Sequence, residues 1–555
     1  MKKQWWHDKV AYQIWPKSFY DGNGDGVGDI PGMIEKLDYL HALGVEILWI
    51  SPVYRSPFVD QGYDISDYYD IDPSFGTMAD MERLLTETKK RGMYVLMDLV
   101  VNHCSDQHAW FRQALADPGG EYGRYFYFRK GCGDAPPNNW RSYFGGSAWT
   151  RLPDSELWYL HFFAKEQPDL NWTNPTVRRK IYDMVNWWLD KGLAGFRLDA
   201  IINVAKDLTF ADKPADRADG MVSPFRALGG AAAALRYLDE LNEKTFRPHG
   251  ALTVAELFDY DKAQLARFAG DGGCFSTLFD FSTTLLGLDA RGWYAAEPVT
   301  AKMYRDAIFE SQREAGDTAF LSNIIENHDE PRGVSRYLSE TTEDGKKMLA
   351  LLTMLRRGLP FLYQGQEIGM ENKRFTDLRE VNDVDTLAQY REARAAGLSD
   401  AQALEVIGRF SRDNGRTPFQ WSDAANAGFT TGTPWTPPNP NYGRICLSAQ
   451  QDDPDSLYSF YRRLIALRKD ARYRETIVWG AFVPAYAEDD EVFAFYRVGE
   501  GQCLLVIAND SNAARCVRLH DCVRAAVVNT QPALSLQNGA LTMAPWQALV
   551  LEVEA

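Results

Sequence analysis

The chain has 555 residues, 45% of them hydrophobic and 25% charged, which is typical of a folded globular protein with more than one domain. Its formal net charge of −16 argues against nucleic acid or an anionic membrane surface as a partner. No apolar run is long enough to cross a bilayer, the seven cysteines are scattered, and the N-terminus has no hydrophobic signal core. We therefore expect a reduced cytoplasmic protein.

Strands and helices alternate from the start of the chain. Residues 11–20 (AYQIWPKSFY) predict a strand, residues 31–44 a helix, and residues 45–51 an apolar strand. Residues 77–91 then predict an amphipathic helix, and residues 93–103 a buried strand. This β-α-β-α-β order indicates a parallel sheet.

Residues 21–29 read DGNGDGVGD, a pattern close to the start of an EF-hand calcium loop. The oxygens for a hard cation would come from Asp21, Asn23, Asp25, Val27 (through its carbonyl) and Asp29. The match fails at position 12, where Gly32 replaces the bidentate Glu, and the preceding segment predicts a strand instead of a helix. A calcium site and an ion-free Asx- and Gly-rich turn therefore both remain open.

The alternation stops between Cys104 and Trp172, where the chain is rich in Gly, Pro and aromatic residues and no helix is predicted. So long an irregular stretch is either functional or a small domain. A helix over 175–191, capped by Asn174, resumes the pattern. Further strands are predicted at 195–200, 252–258, 274–281, 320–329 and 359–365.

The eight predicted strands, joined largely by helices, indicate a closed (β/α)8 TIM barrel. After a predicted helix near 454–470 the chain turns to short alternating strands. The predicted fold is α/β: residues 1–103 and 173–470 form the barrel, residues 104–172 a domain inserted after strand 3, and residues 471–555 a C-terminal antiparallel β-sandwich.

Three predicted barrel strands carry acids at or near their carboxyl ends, where barrel enzymes place catalytic groups: Asp199, Glu256 and Asp329. Strand periodicity puts Arg197 on the same face as Asp199, and an adjacent guanidinium keeps such a carboxylate ionised as a nucleophile. Glu256 is the candidate proton donor, which nearby carboxylates and burial would keep neutral. Two carboxyl groups about 5 Å apart can perform retaining glycoside hydrolysis. Each acid alone is more often a turn or cap residue, so the prediction depends on the set.

Two histidines, His103 and His328, stand near these strand ends and could hydrogen-bond a polyhydroxylated ligand. A single strand-end histidine is usually structural, so both depend on the same set. The eight histidines are scattered and there is no HExxH motif, which argues against a catalytic zinc.

Four segments, DLVVNH (98–103), GFRLDA (195–200), TVAE (253–256) and ENHD (326–329), resemble the conserved regions of the α-amylase superfamily of glycoside hydrolases. Four further segments resemble its oligo-1,6-glucosidase and α-glucosidase branch: GYDISDY (62–68), QPDLNW (167–172), YQGQEIGM (363–370) and SRDNGRTPFQW (411–421). The resemblance covers essentially the whole chain.

The resemblance implies a role for each matching residue. Asp199 would be the nucleophile, Glu256 the general acid/base, and Asp329 the carboxylate that binds the sugar hydroxyls and stabilises the transition state. The residues around the first sugar would be Tyr63, Asp64, His103, Arg197, His328 and Arg416, with Phe144, Phe163 and Gln167 from the inserted segment at the pocket rim. It also implies a structural calcium in the loop at residues 21–29.

The resemblance leaves the linkage open. Ala200 follows the candidate nucleophile. At this position of the branch, valine is associated with α-1,6 specificity and threonine or alanine with α-1,4 specificity. In addition, ELFDY (256–260) stands where oligo-1,6-glucosidases typically have EMPG. We expect a retaining, exo-acting α-glucosidase acting on short oligosaccharides such as isomaltose, panose or maltose, as a monomer or weak homo-oligomer. The alternatives are a glucosyl transferase or sucrose isomerase, a trehalose-6-phosphate hydrolase, and, least favoured, a non-catalytic sugar-binding or transporter-associated protein.

Overall fold

The computed structural model describes residues 1–217, 219–258 and 262–554. Eight parallel strands close into a barrel, which confirms the predicted fold. In chain order, barrel strands 1 to 8 are Ala11–Ile14, Ile47–Ile50, Tyr94–Leu99, Gly195–Leu198, Leu252–Ala255, Thr277–Asp280, Ser322–Asn323 and Leu359–Tyr363. Their residues are buried almost throughout, as expected for parallel strands that are covered on both faces.

Barrel strand 4 runs between strands 3 and 5, and the register places Arg197 beside Asp98 on one side and Val254 on the other. Close approach of two backbones occurs at Gly195, whose φ is 154°. A Cβ atom there would lie 1.8 Å from the carbonyl oxygen of Leu252, so only glycine fits this position.

The helices confirm the predicted β/α alternation. Those in the first half of the chain span Ile30–Glu35, Leu37–Leu43, Met78–Lys90, Ala109–Ala116, Pro175–Asp190, Ala231–Leu241, Arg247–His249 and Leu265–Phe268. Those in the second half span Ala301–Ala315, Gly333–Tyr337, Glu343–Leu355, Val384–Ala395, Asp400–Phe410, Leu457–Lys469 and Arg474–Trp479.

The predicted caps account for two of these boundaries. Thr77 accepts the Asp80 amide in a capping box, and Asn174 accepts the Thr176 amide before Pro175. The prediction of one continuous helix over 31–44 is wrong, because the backbone leaves helical geometry at Lys36 and two short helices result.

The segment predicted as an insertion contains a small antiparallel sheet, with Leu157–Leu160 between Phe128–Lys130 and Trp149–Arg151. The prediction that this segment lacks a helix is wrong, since Ala109–Ala116 is helical. Its N-cap is His108, whose ring nitrogen accepts the Trp110 amide at 3.1 Å. Burial lowers the pKa of His108 to about 4, which keeps the ring neutral and able to accept this bond.

The C-terminal part consists of antiparallel sheets, as predicted. One sheet has five strands in the order Ala481–Ala485, Val492–Gly499, Gln502–Asn509, Ala548–Val553 and Val523–Asn529, and a second joins Arg515–Arg518, Ala540–Met543 and Ser535–Gln537. Buried side chains of both sheets, such as Leu505, Leu551 and Leu541, share one hydrophobic core.

By its internal contacts the chain divides into two compact units: residues 1–28, 35–48 and 279–555 form the first, and residues 29–34 and 49–278 the second. The boundaries proposed from the sequence, at residues 104–172 and 471–555, remain predictions. None of the helices formed by the described residues has the length and apolar character needed to span a membrane.

Candidate active site

A buried arginine holds three carboxylates in the second unit. Arg197 pairs with Asp98 at 2.6 Å, with Asp199 at 2.8 Å and with Glu256 at 2.9 Å. Asp199 directly follows barrel strand 4 and Glu256 directly follows strand 5, so adjacent strand ends bring the two acids to one guanidinium. The sequence-predicted nucleophile and proton donor are therefore neighbours.

The charge of this arginine is secured by its partners. Burial alone would lower the pKa of Arg197, but Asp98 and Glu256 hold it well above its ordinary value. Asp98 also accepts the Trp49 indole N–H at 2.9 Å and the Tyr63 hydroxyl at 3.3 Å. Arg197 thus orients the two candidate catalytic carboxylates, and the third carboxylate, Asp98, holds Arg197 in place.

The backbone after Asp199, the candidate nucleophile, is unusual. Ala200 has φ 41° and ψ 34°, in the left-handed region that non-glycine residues rarely adopt. In this conformation its amide N–H donates to Glu256 Oε2 at 3.0 Å. Strained backbone of this kind is concentrated at functional sites, and here it links the residue after the nucleophile to the candidate proton donor.

His103 is surrounded by residues that the sequence assigned to the sugar pocket. Its Nε2 lies 3.1 Å from both the Tyr63 carbonyl and Gln167 Nε2, and its ring centroid lies 5.0 Å from that of Phe163. Phe163 in turn meets Phe144 edge-on at 5.8 Å. Burial lowers the pKa of His103 to about 4, so the ring is neutral at physiological pH and can hydrogen-bond without carrying charge.

Asp64 is fully buried and its carboxylate accepts three hydrogen bonds. The donors are the Ser56 hydroxyl at 3.0 Å and the backbone amides of Val59 at 2.9 Å and Asp60 at 3.0 Å. Burial outweighs these bonds and raises the pKa of Asp64 to about 6. The charge of Asp64 therefore changes with pH around pH 6.

A second group of predicted residues lies in the first unit, around Asp329. Its Oδ1 accepts from Arg412 Nη1 at 3.1 Å and from Arg416 Nη2 at 3.0 Å, and its Oδ2 lies 2.9 Å from His328 Nε2. Partial burial would raise the pKa of Asp329, but these three neighbours hold it well below its ordinary value. Asp329 is therefore a permanent carboxylate.

Arg412 and Arg416 are themselves held by Asp383. Arg412 binds Asp383 Oδ1 at 2.5 Å, and Arg416 Nη1 lies 3.6 Å from the same oxygen. Burial acts against ionisation of Asp383, but the two guanidiniums lower its pKa to about 2. Arg416 also donates to the His328 carbonyl at 2.9 Å, so one network positions both His328 and Asp329.

Sequence reasoning missed some residues of these networks and misplaced one. Asp98 opens the DLVVNH segment and Arg412 lies in SRDNGRTPFQW, yet neither was chosen, and Asp383 had no motif signal at all. Asp329 does not end a strand: barrel strand 7 stops at Asn323, six residues earlier. Asp259 and Tyr260 of the ELFDY segment lie outside the described residues.

The candidate calcium loop is closed by its own side chains. Asp21 accepts the Asn23 amide at 3.0 Å, Asn23 accepts the Asp25 amide at 2.8 Å, and Asp25 accepts the Val27 amide at 2.8 Å. Among the described residues no three His, Cys, Asp or Glu side chains cluster as a metal site. The loop donors, which include Asp29, are nevertheless all oxygens, so their chemistry fits calcium.

The chain is similar to known enzymes along most of its length. The family model described as the alpha amylase catalytic domain matches residues 13–478. An oligo-1,6-glucosidase of Halalkalibacterium halodurans is 42% identical over 92% of this chain and 91% of its own, and a trehalose-6-phosphate hydrolase of Escherichia coli is 40% identical over 91% and 90%. The crystal structure of an isomaltulose synthase from Klebsiella sp. LX3 has a TM-score of 0.95 and 36% identity, with both chains fully covered.

A closed parallel barrel with two carboxyl groups just beyond adjacent strand ends, both bound to one guanidinium, is the arrangement of a glycoside hydrolase. The extent of the match makes the assignment specific: the chain belongs to the alpha-amylase family.

Proposed function

We propose that this glycoside hydrolase is a retaining, exo-acting α-glucosidase that removes terminal α-linked glucose from short oligosaccharides such as isomaltose, panose or maltose. The observation that carries the proposal is the placement of Asp199 and Glu256 on the two terminal nitrogens of Arg197. Two carboxyl groups held side by side on one guanidinium suit a nucleophile and a proton donor that act on the same glycosidic bond.

The proposed reaction has two steps. Asp199 attacks the anomeric carbon and forms a glucosyl ester, while Glu256 gives its proton to the departing glycosidic oxygen. Glu256 then takes a proton from water, the water oxygen attacks the anomeric carbon, and the bond to Asp199 breaks. Arg197 keeps Asp199 ionised for the first step. Glu256 lies 2.9 Å from the same guanidinium and must carry a proton at that stage, which the negative charge of the neighbouring Asp199 favours.

Each of the two units carries candidate groups for recognising a terminal glucose, and each group is held in place by polar neighbours. Asp329 is a permanent anion and would bind sugar hydroxyls as an acceptor, with His328 beside it. In the second unit His103 is neutral and the pKa of Asp64 is about 6, so we propose that ionised Asp64 accepts hydrogen bonds from sugar hydroxyls at neutral pH. In the first unit Arg416, which binds Asp329, is a further candidate. In the second, Tyr63, whose carbonyl contacts His103, is the candidate for stacking on a sugar ring.

The linkage preference would be set near Ala200. Its methyl side chain is smaller than valine, and its amide contacts Glu256, so this residue shapes the wall beside the proton donor. The proteins that this chain resembles are named for different reactions. They include an oligo-1,6-glucosidase, a trehalose-6-phosphate hydrolase and an isomaltulose synthase. Isomerisation of sucrose and hydrolysis of trehalose 6-phosphate are therefore the second candidates.

The deciding experiment is product analysis with isomaltose, panose, maltose, sucrose and trehalose 6-phosphate in parallel. Release of glucose from the first three, with retention of the α anomer, supports the proposal, and Asp199→Asn should abolish it. Asp317→Asn, which changes an exposed carboxylate on the surface, is the matched control and should retain activity. Turnover of only sucrose or only trehalose 6-phosphate would assign the enzyme to the alternative concerned.

We also propose that the loop over residues 21–29 binds a structural Ca2+, held by Asp21, Asn23, Asp25, Asp29 and the Val27 carbonyl. Support comes from the all-oxygen donor set. A ligand at 100 times its Kd stabilises the fold by about 2.7 kcal/mol, so Ca2+ should raise the Tm and EDTA should reverse this. Asp25→Ala should remove the response and Asp38→Ala should keep it; an unchanged Tm in wild type would show an ion-free turn.

The cytoplasmic location and a monomeric or weakly self-associating state are further parts of the proposal. They are supported by the scattered cysteines and the acidic surface charge. Sedimentation velocity of the purified enzyme tests the second.

A further inference from the structure

A cavity of about 1100 Å3 lies within the first unit, and none of its lining residues belongs to the candidate active site. Its walls come from helix Gly333–Tyr337, the segment 372–376, helix Asp400–Phe410 and residues 297–299. This volume is large enough for a metabolite the size of a sugar phosphate or a nucleotide.

The charge of the cavity opposes that of the chain. Four cationic side chains line it, Arg336, Lys373, Arg374 and Arg409, against two acidic ones, Glu297 and Glu405. Positive side chains therefore outnumber negative ones in this cavity, although the net charge of the whole protein is −16. A local field of this sign concentrates anions and repels cations.

The cations of the cavity differ in whether a neighbouring acidic group neutralises their charge. Lys373 is buried and pairs with Glu380 at 2.7 Å, which neutralises it. Arg336 donates through Nη2 to the carbonyls of Thr284 and Leu286, which fix its position without cancelling its charge. Its buried Nε has no hydrogen-bond partner among the described residues. A buried guanidinium N–H of this kind gains free energy when an anionic oxygen reaches it.

An aromatic ring lies beneath two of the guanidiniums. The Phe410 ring centroid is 5.6 Å from the Arg336 guanidinium carbon and 5.1 Å from that of Arg409. Such cation–π contacts hold both groups over one apolar surface. Phe375, Leu404 and Leu338 extend this surface along the cavity, so charge and apolar area stand side by side.

We propose that this cavity binds a phosphate monoester carried on a ring, with the phosphate on Arg336 and Arg409 and the ring against Phe410 and Phe375. Guanidinium groups match phosphate oxygens in geometry, and a doubly charged phosphate uses several cations at once. A neutral glucan would leave these cations unused. The assignment is independent of the proposed glucosidase activity, because no lining residue takes part in it.

Isothermal titration calorimetry on the full-length enzyme tests the proposal, with glucose 6-phosphate, AMP, inorganic phosphate and glucose as probes. We expect one of the two phosphate monoesters to bind at least about tenfold more tightly than inorganic phosphate, and glucose not to bind this site. The tighter of the two tells whether a sugar or a nucleoside carries the phosphate. Equal affinity for inorganic phosphate and both esters, or no binding at millimolar concentration, would overturn the proposal.

Variants locate the binding. Arg409→Gln and Arg336→Gln should each weaken the tighter ester by about tenfold, since a charge-assisted hydrogen bond is lost. Arg83→Gln removes an exposed arginine outside the cavity and should leave the affinity unchanged. All three variants should retain wild-type glucosidase kinetics, which shows that they are folded. Undiminished ester binding by the two cavity variants would place the phosphate elsewhere, such as at the active site, and would refute the assignment.

Discussion

Arg412 joins two buried networks, and replacing it by glutamine should reduce catalysis through Asp329. In the wild type Arg412 Nη1 donates to Asp329 Oδ1 at 3.1 Å while the same side chain binds Asp383. A hydrogen bond to a charged group contributes roughly 1.5–3 kcal/mol, and about 1.4 kcal/mol is a factor of ten in rate. Arg412→Gln should therefore lower kcat/KM by roughly 10- to 100-fold.

The pH profile separates this effect from general damage. Arg412 is one of the groups that hold the pKa of Asp329 well below its ordinary value, so its removal must raise that pKa. Asp329 then becomes protonated at a higher pH than in the wild type, so kcat/KM of the variant should fall more steeply on the acid limb. The assay is kcat/KM on a chromogenic α-glucoside between pH 4 and 9, with circular dichroism to check folding.

Two further variants serve as comparisons. Arg412→Lys keeps a positive charge and should recover part of the loss, while Arg409→Gln changes an exposed arginine three residues earlier and should behave as wild type. A folded Arg412→Gln enzyme with unaltered kcat/KM and an unmoved acid limb would show that Arg412 does not act on Asp329.

Three further predictions concern stability. Burial raises the pKa of Glu367 from 4.5 to about 7. Between these two pH values the folded protein keeps a proton on Glu367 that the unfolded chain releases. The free energy of unfolding should therefore fall by about 3 kcal/mol as the pH rises from 4.5 to 7. Glu367→Gln should flatten this fall, which Tm measured across the pH range would show. Lys206→Met leaves its buried partner Asp169, 2.7 Å away, without a counter-charge and should cost about 3–5 kcal/mol in urea unfolding. Gly195→Ala should prevent soluble expression, because its Cβ would overlap a backbone oxygen at 1.8 Å, whereas Gly443→Ala, with open space around it, should express normally.

The barrel could be read from the sequence because each of its strands is buried on both faces and appears as a short apolar run. The ends of the apolar runs did not predict the ends of the strands. The seventh run was predicted over 320–329, yet only Ser322–Asn323 pairs as a strand, since the polar ENHD segment leaves the sheet to form the network around Asp329. The helix over Ala109–Ala116 was missed because its cap is a neutral histidine, a residue that sequence rules do not associate with capping.

Part of the candidate site could be predicted from the sequence for a similar reason. Asp199 and Glu256 follow strands directly, so position along the chain identified them. Asp98 and Asp383 could not be recognised in the same way, because their importance comes from register and long-range pairing with arginines far away in the sequence. Local pattern finds the candidate reactive groups, whereas the groups that hold them in place can be recognised only in the folded chain.

The sharing of Arg197 has a consequence for how this enzyme can evolve. Asp98, Asp199 and Glu256 all depend on one counter-charge, so a substitution at any of them changes the electrostatic surroundings of the other two. The effects of mutations at these positions should be strongly epistatic, with double-mutant cycles that depart from additivity by 0.5–3 kcal/mol, a range typical of residues in one network. New acceptor chemistry on this scaffold is then most accessible through positions beside the network, such as Ala200, which touches it only through the backbone.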